Sequence, residues 1–207
     1  MPASVLVFSS DVAGFSNVSL FAETSFLRWA MAGELATPQR AAFVAAVEFL
    51  NALQASSTVD VWTTPFVVEE VTYGLLSGRL RSRASRENIE WHDWASFKRS
   101  HSTLFERWME SEGAALTLEI RRFMHANGIS VRLPEHRFWH REALGDQMTL
   151  FMSWLIASFH LEPADALHTA CYYFDDADAI ISTDLGFQRV DGIRGIAHRR
   201  ADFLDEV

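Results

Sequence analysis

Glu162–Val190 reads EPADALHTACYYFDDADAIISTDLGFQRV, and the order of its parts decides the fold. Pro163 suits the first turn of a helix, where a missing backbone N–H costs nothing. Ala166, Leu167, Ala170, Cys171 and Phe174 follow at helical spacing and form one apolar face. Asp175, Asp176 and Asp178 end that pattern and read as a solvated turn. Ala179, Ile180 and Ile181 are then a short apolar run, the signature of a buried parallel strand. This strand delivers Ser182, Thr183 and Asp184 at its C-terminal end, where open α/β sheets place their sites. Asp165 lies in the first turn of the preceding helix, so a helix–strand unit can bring Asp165 and Asp184 to one edge.

Upstream, Val18–Ala22 reads as a second short strand, followed by Glu23-Thr24-Ser25 and by apolar Phe26, Leu27, Trp29, Ala30 and Met31 on a helix. Thr37-Pro38 has the form of an N-cap and first helical residue, and Ala41 to Leu53 supplies that helix's apolar stripe. Val59-Asp60-Val61-Trp62 alternates as a strand does, and Thr63-Thr64-Pro65 opens the next helix. Glu69 and Glu70 lie on that helix about 100° apart, which puts Glu69 on the surface if Glu70 faces a site. An earlier apolar run, Val5–Phe8, is followed by Asp11.

Residues 78–127 form a helical stretch with a basic start, Arg79, Arg81, Arg83 and Arg86, followed by Trp91, Trp94, Phe97, Phe105 and Trp108. Basic residues interleaved with aromatics could track a nucleic acid. The same rings recur at period three to four, and the core-facing stripe is the favoured reading. Glu112-Gly113 is a candidate break, and Asn127-Gly128 a helix end. Ile129–Pro134 reads as a strand, Ala143–Phe159 as an apolar helix buried between neighbours, and the stretch after Gly192 as a final strand. His92, His101, His136, His140 and Asp146 show no spacing that demands a site. Helices alternating with short strands point to an α/β fold, three layers with a central, mostly parallel sheet.

Taken together, Pro163-Ala164-Asp165-Ala166-Leu167-His168, Ile181-Ser182-Thr183-Asp184 and Phe187 resemble the C-terminal half of a PIN domain. That family comprises metal-dependent nucleases and includes the toxin ribonucleases of VapBC-type toxin–antitoxin pairs. Val18–Ala22 with Glu23-Thr24-Ser25 is similar to a PIN opening, which usually carries Asp where this chain has Glu23; Asp11 is the rival for that place. Glu70-Val71-Thr72-Tyr73-Gly74, at 70 − 23 = 47 residues beyond Glu23, is similar to the family's second acid. The resemblance implies one PIN-like domain over 1–207 with a helical insertion at about 78–127.

It also implies a site of Glu23, Glu70, Asp165 and Asp184 holding Mg²⁺ or Mn²⁺, with Thr24 and Thr183 in support. Carboxylates gathered at one edge cannot all stay ionised without a cation, and oxygen-only ligands select hard ions. The activity implied is endoribonuclease cleavage of single-stranded RNA, with an antitoxin protein and a second copy of the chain as partners the family allows. Phe187 would anchor the loop. A PIN-fold module that has lost catalysis, binding RNA or protein, is the alternative. A metal-dependent phosphatase is disfavoured by the lack of an Asp-x-Asp after the first strand.

Composition narrows the classes further. At 207 residues, 49% hydrophobic and 22% charged, the chain can bury one sizeable core that is rich in aromatics, with 7 Trp and 16 Phe. A net charge of −9 argues against a generally basic nucleic-acid binder but leaves room for a local patch. The single Cys171 rules out an intramolecular disulfide and a thiolate zinc cluster. With no long apolar run and no basic leader, the expectation is a cytoplasmic protein away from the membrane. There is no internal repeat, Gly-rich phosphate loop or Gly-x-Ser-x-Gly element.

Overall fold

The computed structural model describes residues 16–35, 41–133, 142–175, 177–190 and 195–197. Among these residues five strands form one sheet: β1 (Val18–Ala22), β2 (Val59–Thr63), β3 (Ser130–Val131), β4 (Ala179–Ser182) and β5 (Gly195–Ala197), in the order β3-β2-β1-β4-β5. All pairings are parallel, with Leu20 opposite Val61 on one side and Ala179 on the other. Seven α-helices connect them among the described residues: α1 (Thr24–Leu35), α2 (Ala41–Gln54), α3 (Pro65–Arg86), α4 (Trp94–Ser100), α5 (Ser102–Ala126), α6 (Glu142–Phe159) and α7 (Pro163–Phe174). A 3₁₀ turn spans Leu185–Arg189.

The strand order has a mechanical cause. Right-handed crossovers carry β1 to β2 to β3 with their helices on one face. The chain then jumps back past β1 to lay down β4, and the same rule puts α6 and α7 on the other face. The contacts agree: α1 packs on α2 and α3, α3 on α5, and α6 on α7. This is an all-parallel α/β fold compatible with three layers. The direction of winding reverses between β1 and β4, which opens a crevice at their C-terminal ends.

Burial on both faces explains the apolar strands. Leu20, Phe21 and Ala22 are fully buried, as are Trp62, Ile180 and Ile181 to within about a percent. One apolar cluster runs from Leu20 through the helices to Val190. The Phe21 and Trp62 rings meet at 4.9 Å, and the Trp62 indole N–H finds Ser19 Oγ at 2.9 Å. Asp178 does more than solvate a turn. Its Oδ2 accepts from the Ser19 amide at 2.8 Å and its own amide donates to the Ser19 carbonyl, which locks β4 in register with β1.

Local signals hold at several helix ends. Thr64 caps α3 through the Val67 amide, with Pro65 in the first turn. Asn127 and Gly128 end α5, Gly128 at φ 57. Other expectations need correction. The 91–108 stripe is two helices: Asp93 caps α4 through the Ser96 amide at 2.8 Å, and the chain breaks at His101, the cap residue between α4 and α5.

Gly113 does not break α5, whose packing through Trp108, Leu116 and Ile120 outweighs the roughly 1 kcal/mol propensity cost of one glycine. Strand β3 is two residues long. Helix α6 is not buried between neighbours, since Leu150 and Trp154 are 68% and 51% exposed; it packs on α7 alone among its larger helix contacts and turns those residues outward. The Val5–Phe8 strand, Asp11, Thr37-Pro38, Pro134, His136, His140 and the Arg199-Arg200 tail lie outside the described residues, as does the side chain of Asp146.

Candidate functional site

The crevice between β1 and β4 collects acidic side chains. Glu23 follows the last residue of β1, and Asp184 stands two residues past β4. Asp165 is in the first turn of α7, whose Pro163 and Glu162 set the helix start at the same edge. Glu70 comes from the second turn of α3, which begins directly after β2.

Glu23 is almost fully buried. Its Oε2 accepts three hydrogen bonds: from the Ser25 amide at 2.9 Å, Ser25 Oγ at 2.6 Å and Ser182 Oγ at 2.7 Å. Its Oε1 takes none among the described residues. Burial raises its pKa, and the bonds from Ser25 and Ser182 work against that rise. The two serines also order the β4 end, where Ser25 Oγ accepts from the Thr183 amide and Ser182 Oγ from the Asp184 amide, each at 2.9 Å. Asp184 Oδ1 caps the following 3₁₀ turn through the Gly186 amide at 2.7 Å, and Phe187 is buried beneath that turn as an anchor.

Asp165 feels its neighbours most. Burial, then the charges of Asp184 and Glu23, push its carboxyl up to about 6, against a partial pull from His168. The three acids therefore share one electrostatic environment. Glu70 belongs to a different arrangement. Its Oε2 accepts from Thr24 Oγ1 at 2.5 Å and from His168 Nε2 at 3.0 Å, and the His168 bond leads the causes that lower its pKa. Because a carboxylate can only accept, Nε2 of His168 carries a proton and donates. His168 Nδ1 is buried with no hydrogen-bond partner among the described residues.

The supporting residues divide in the same way. Thr24 holds Glu70 through its hydroxyl, while Thr183 contributes its amide to Ser25. Ser25, Ser182 and His168 were given no role in the sequence reading. A signal for His168 was there, because it sits three residues after Asp165 and hence on the same helix face. Cys171 is buried, and its thiol is pushed up to about 12, so it is no nucleophile.

Half of the Arg cluster, Arg79 and Arg83, is committed to structure. Arg79 pairs with Glu119. Arg83 pairs with Glu87 and Glu112 and lies over the Trp108 ring at 4.9 Å. Arg81 and Arg86 are exposed and form no ion pair among the described residues. Phe97, Phe105 and Trp108 are core, as the stripe predicts, rather than stacking platforms. Glu69 is exposed as expected, yet it lines the same cleft as Glu70.

Fold and site together define an open all-parallel α/β protein with an acidic crevice at its topological switch point. Comparison with protein-family models, with curated proteins and with solved structures returns no match. The donor chemistry suits a hard divalent cation, which would ionise Asp165 and relieve the repulsion around it. The placement is less complete: among the described residues, no group of three or more Asp, Glu, His or Cys side chains is arranged to hold an ion. Glu23 Oε2 is saturated by its own serines, and Glu70 is turned to Thr24 and His168. No helix of the described residues is long and apolar enough to cross a membrane.

Proposed function

We propose that the protein is a PIN-like, metal-dependent endoribonuclease acting on single-stranded RNA. The observation that carries this reading is that Glu23, Asp165 and Asp184, from three separate chain segments, stand at the switch-point edge of the sheet, where the first and last act electrostatically on Asp165. Asp165 and Asp184, with Oε1 of Glu23, would hold Mg²⁺ or Mn²⁺, while Glu70, held by Thr24 and His168, would join them only by turning away from those partners. When bound, such an ion supplies Lewis-acid polarisation of a phosphodiester and a more acidic bound water.

The chain's own residues prepare the edge. Ser25 and Ser182 fix the Glu23 carboxylate in one orientation through three donors. The Asp184 backbone is held by Ser182 and its side chain by the following turn. Asp165, protonated up to about 6 without a cation, is the group most altered by one. An antitoxin partner and a homodimer, part of the same proposal, rest on the sequence resemblance alone.

The test is cleavage of a mixed-sequence single-stranded RNA with Mg²⁺, with Mn²⁺ and with chelator, beside Asp184→Asn. Cleavage that requires the metal and vanishes in the variant is the expected result. Metal-independent cleavage that persists in Asp184→Asn would sink the reading. A second reading, a PIN-fold module that binds RNA or protein without turnover, is favoured by the saturation of Glu23 Oε2 and the absence of an ion-holding group among the described residues. It expects binding with no cleavage under any metal.

A further inference from the structure

A cleft of about 770 Å³ opens beside the acidic crevice, between α1, α3 and the start of α7. Thr24, Glu70 and Ala164 line its near end, so it begins one residue from Glu23 and one residue from Asp165. From Glu70 it follows α3 along one face, through Gly74, Ser77 and Gly78 to Arg81. At 1.5 Å per residue, the eleven steps from Glu70 to Arg81 span about 16 Å.

Three side chains give the cleft its chemistry. Arg28 reaches in from α1 and lies over Gly74, where a Cβ would come within 2.8 Å of its Nε and 2.9 Å of its Cζ. The missing side chain at position 74 is what lets this guanidinium lie against the wall of α3. Arg81 stands at the far end. Both are exposed and neither forms an ion pair among the described residues, unlike Arg79 and Arg83 on the same stretch. Tyr73, next to Gly74 on α3, lines the same cleft; it is 55% exposed, its ring braced by Trp94 at 5.1 Å. The carboxylates of Glu69 and Glu70 border the near end and oppose a phosphate there, which leaves phosphate binding to Arg28 and Arg81.

We propose that this cleft is the track for a single-stranded polynucleotide, with Arg28 and Arg81 each contacting a phosphate and Tyr73 stacking on a base. Two exposed guanidiniums with no ion pair among the described residues line one cleft with an exposed, braced aromatic ring. These are the elements that single-strand binding requires, although the Arg28 charge also acts on Glu70. The assignment of substrate rests on the nuclease reading of the adjoining acids, and it names side chains which that reading does not use.

The experiment measures binding of short fluorescent single-stranded RNA and DNA in chelator, using Asp184→Asn protein so that no strand is cut. Arg28→Ala combined with Arg81→Ala should reduce the slope of log K against log salt by about 1.4, since each single-strand phosphate contact contributes about 0.7. Tyr73→Ala should weaken binding roughly tenfold, while Tyr73→Phe keeps it. Arg79→Ala, outside the cleft, should leave the slope unchanged.

An unchanged slope and affinity in the folded Arg28/Arg81 and Tyr73 variants overturns the track. So does binding of an acidic peptide, with the same dependence on these residues, in place of any polynucleotide. The two proposals fail separately. Binding that depends on Arg28, Arg81 and Tyr73 without metal-dependent cleavage by the native chain removes the nuclease and leaves the track. Cleavage that is indifferent to the three residues does the reverse.

Discussion

Two charged regions of this molecule are built on opposite plans. Along α3 and α5, charges meet their opposites: Arg79 with Glu119, and Arg83 with Glu87 and Glu112. At the sheet edge, Asp165 is raised by burial and then by the like charges of Asp184 and Glu23. Folding alone gives no reason to gather like charges in a crevice, because each addition raises the cost of ionising the rest. Paired charge on the helical arm secures structure, whereas like charge at the edge is the feature on which the proposed metal site rests.

The largest expected break in this contrast is at the edge. Asp184→Asn is predicted to lower metal-dependent RNA cleavage by on the order of 10³, the scale of losing one transition-state contact. Its melting temperature should stay near that of the native protein, and a parallel loss of folding would mean the acid is structural. On the arm the order reverses. Phe97, buried among the Trp91, Phe105 and Trp108 rings, should cost about 3–5 kcal/mol when changed to Ala, read as a drop in denaturation midpoint. Cleavage per folded molecule should not change.

A smaller effect separates the regions by pH. The Asp165 carboxyl is raised from 3.8 to about 6, so its favourable contribution is complete below pH 3.8 and is lost as pH rises through 6. Asp165→Asn should therefore stabilise the metal-free protein at pH 8 by about 1 kcal/mol, after allowance for solvent screening at this half-exposed site. The gain should disappear by pH 3.8. Added Mg²⁺ or Mn²⁺ should raise the melting temperature of the native chain and leave that of the variant unmoved. A gain that grows toward acid pH would contradict the assigned repulsion. The smallest effect belongs to the arm, where a double-mutant cycle on Arg79 and Glu119 should return a coupling below about 1 kcal/mol that falls with salt.

How much of this was legible in sequence depends on the distance over which each feature is encoded. The β4 run Ala179–Ile181, the Thr64 cap with Pro65, and the Asn127-Gly128 end are local, and each stands where its residues predict. The break at His101 was missed because aromatic spacing carried across it, and His101 begins α5 with no side-chain cap hydrogen bond to signal it. The placement of Glu23, Asp165 and Asp184 at one edge could be read because they sit beside strand ends or a helix start. Their holders could not. Ser182 reaches Glu23 across 159 positions, and His168 reaches Glu70 across 98. Arg79 looked available as a cation because Glu119, 40 residues on, gave no sign of its proximity.

The contact of Tyr73 with Trp94 also gives the cleft an optical readout. Trp94 in turn meets Trp91 at 6.5 Å and Phe105 at 5.2 Å, so a chain of rings leads from the cleft wall into the helical arm. Any occupant that tilts Tyr73 changes the quenching and the polarity around an indole without touching it. Native fluorescence should then report filling of the cleft with no label attached, and Trp94→Phe should darken that signal while leaving the binding itself in place.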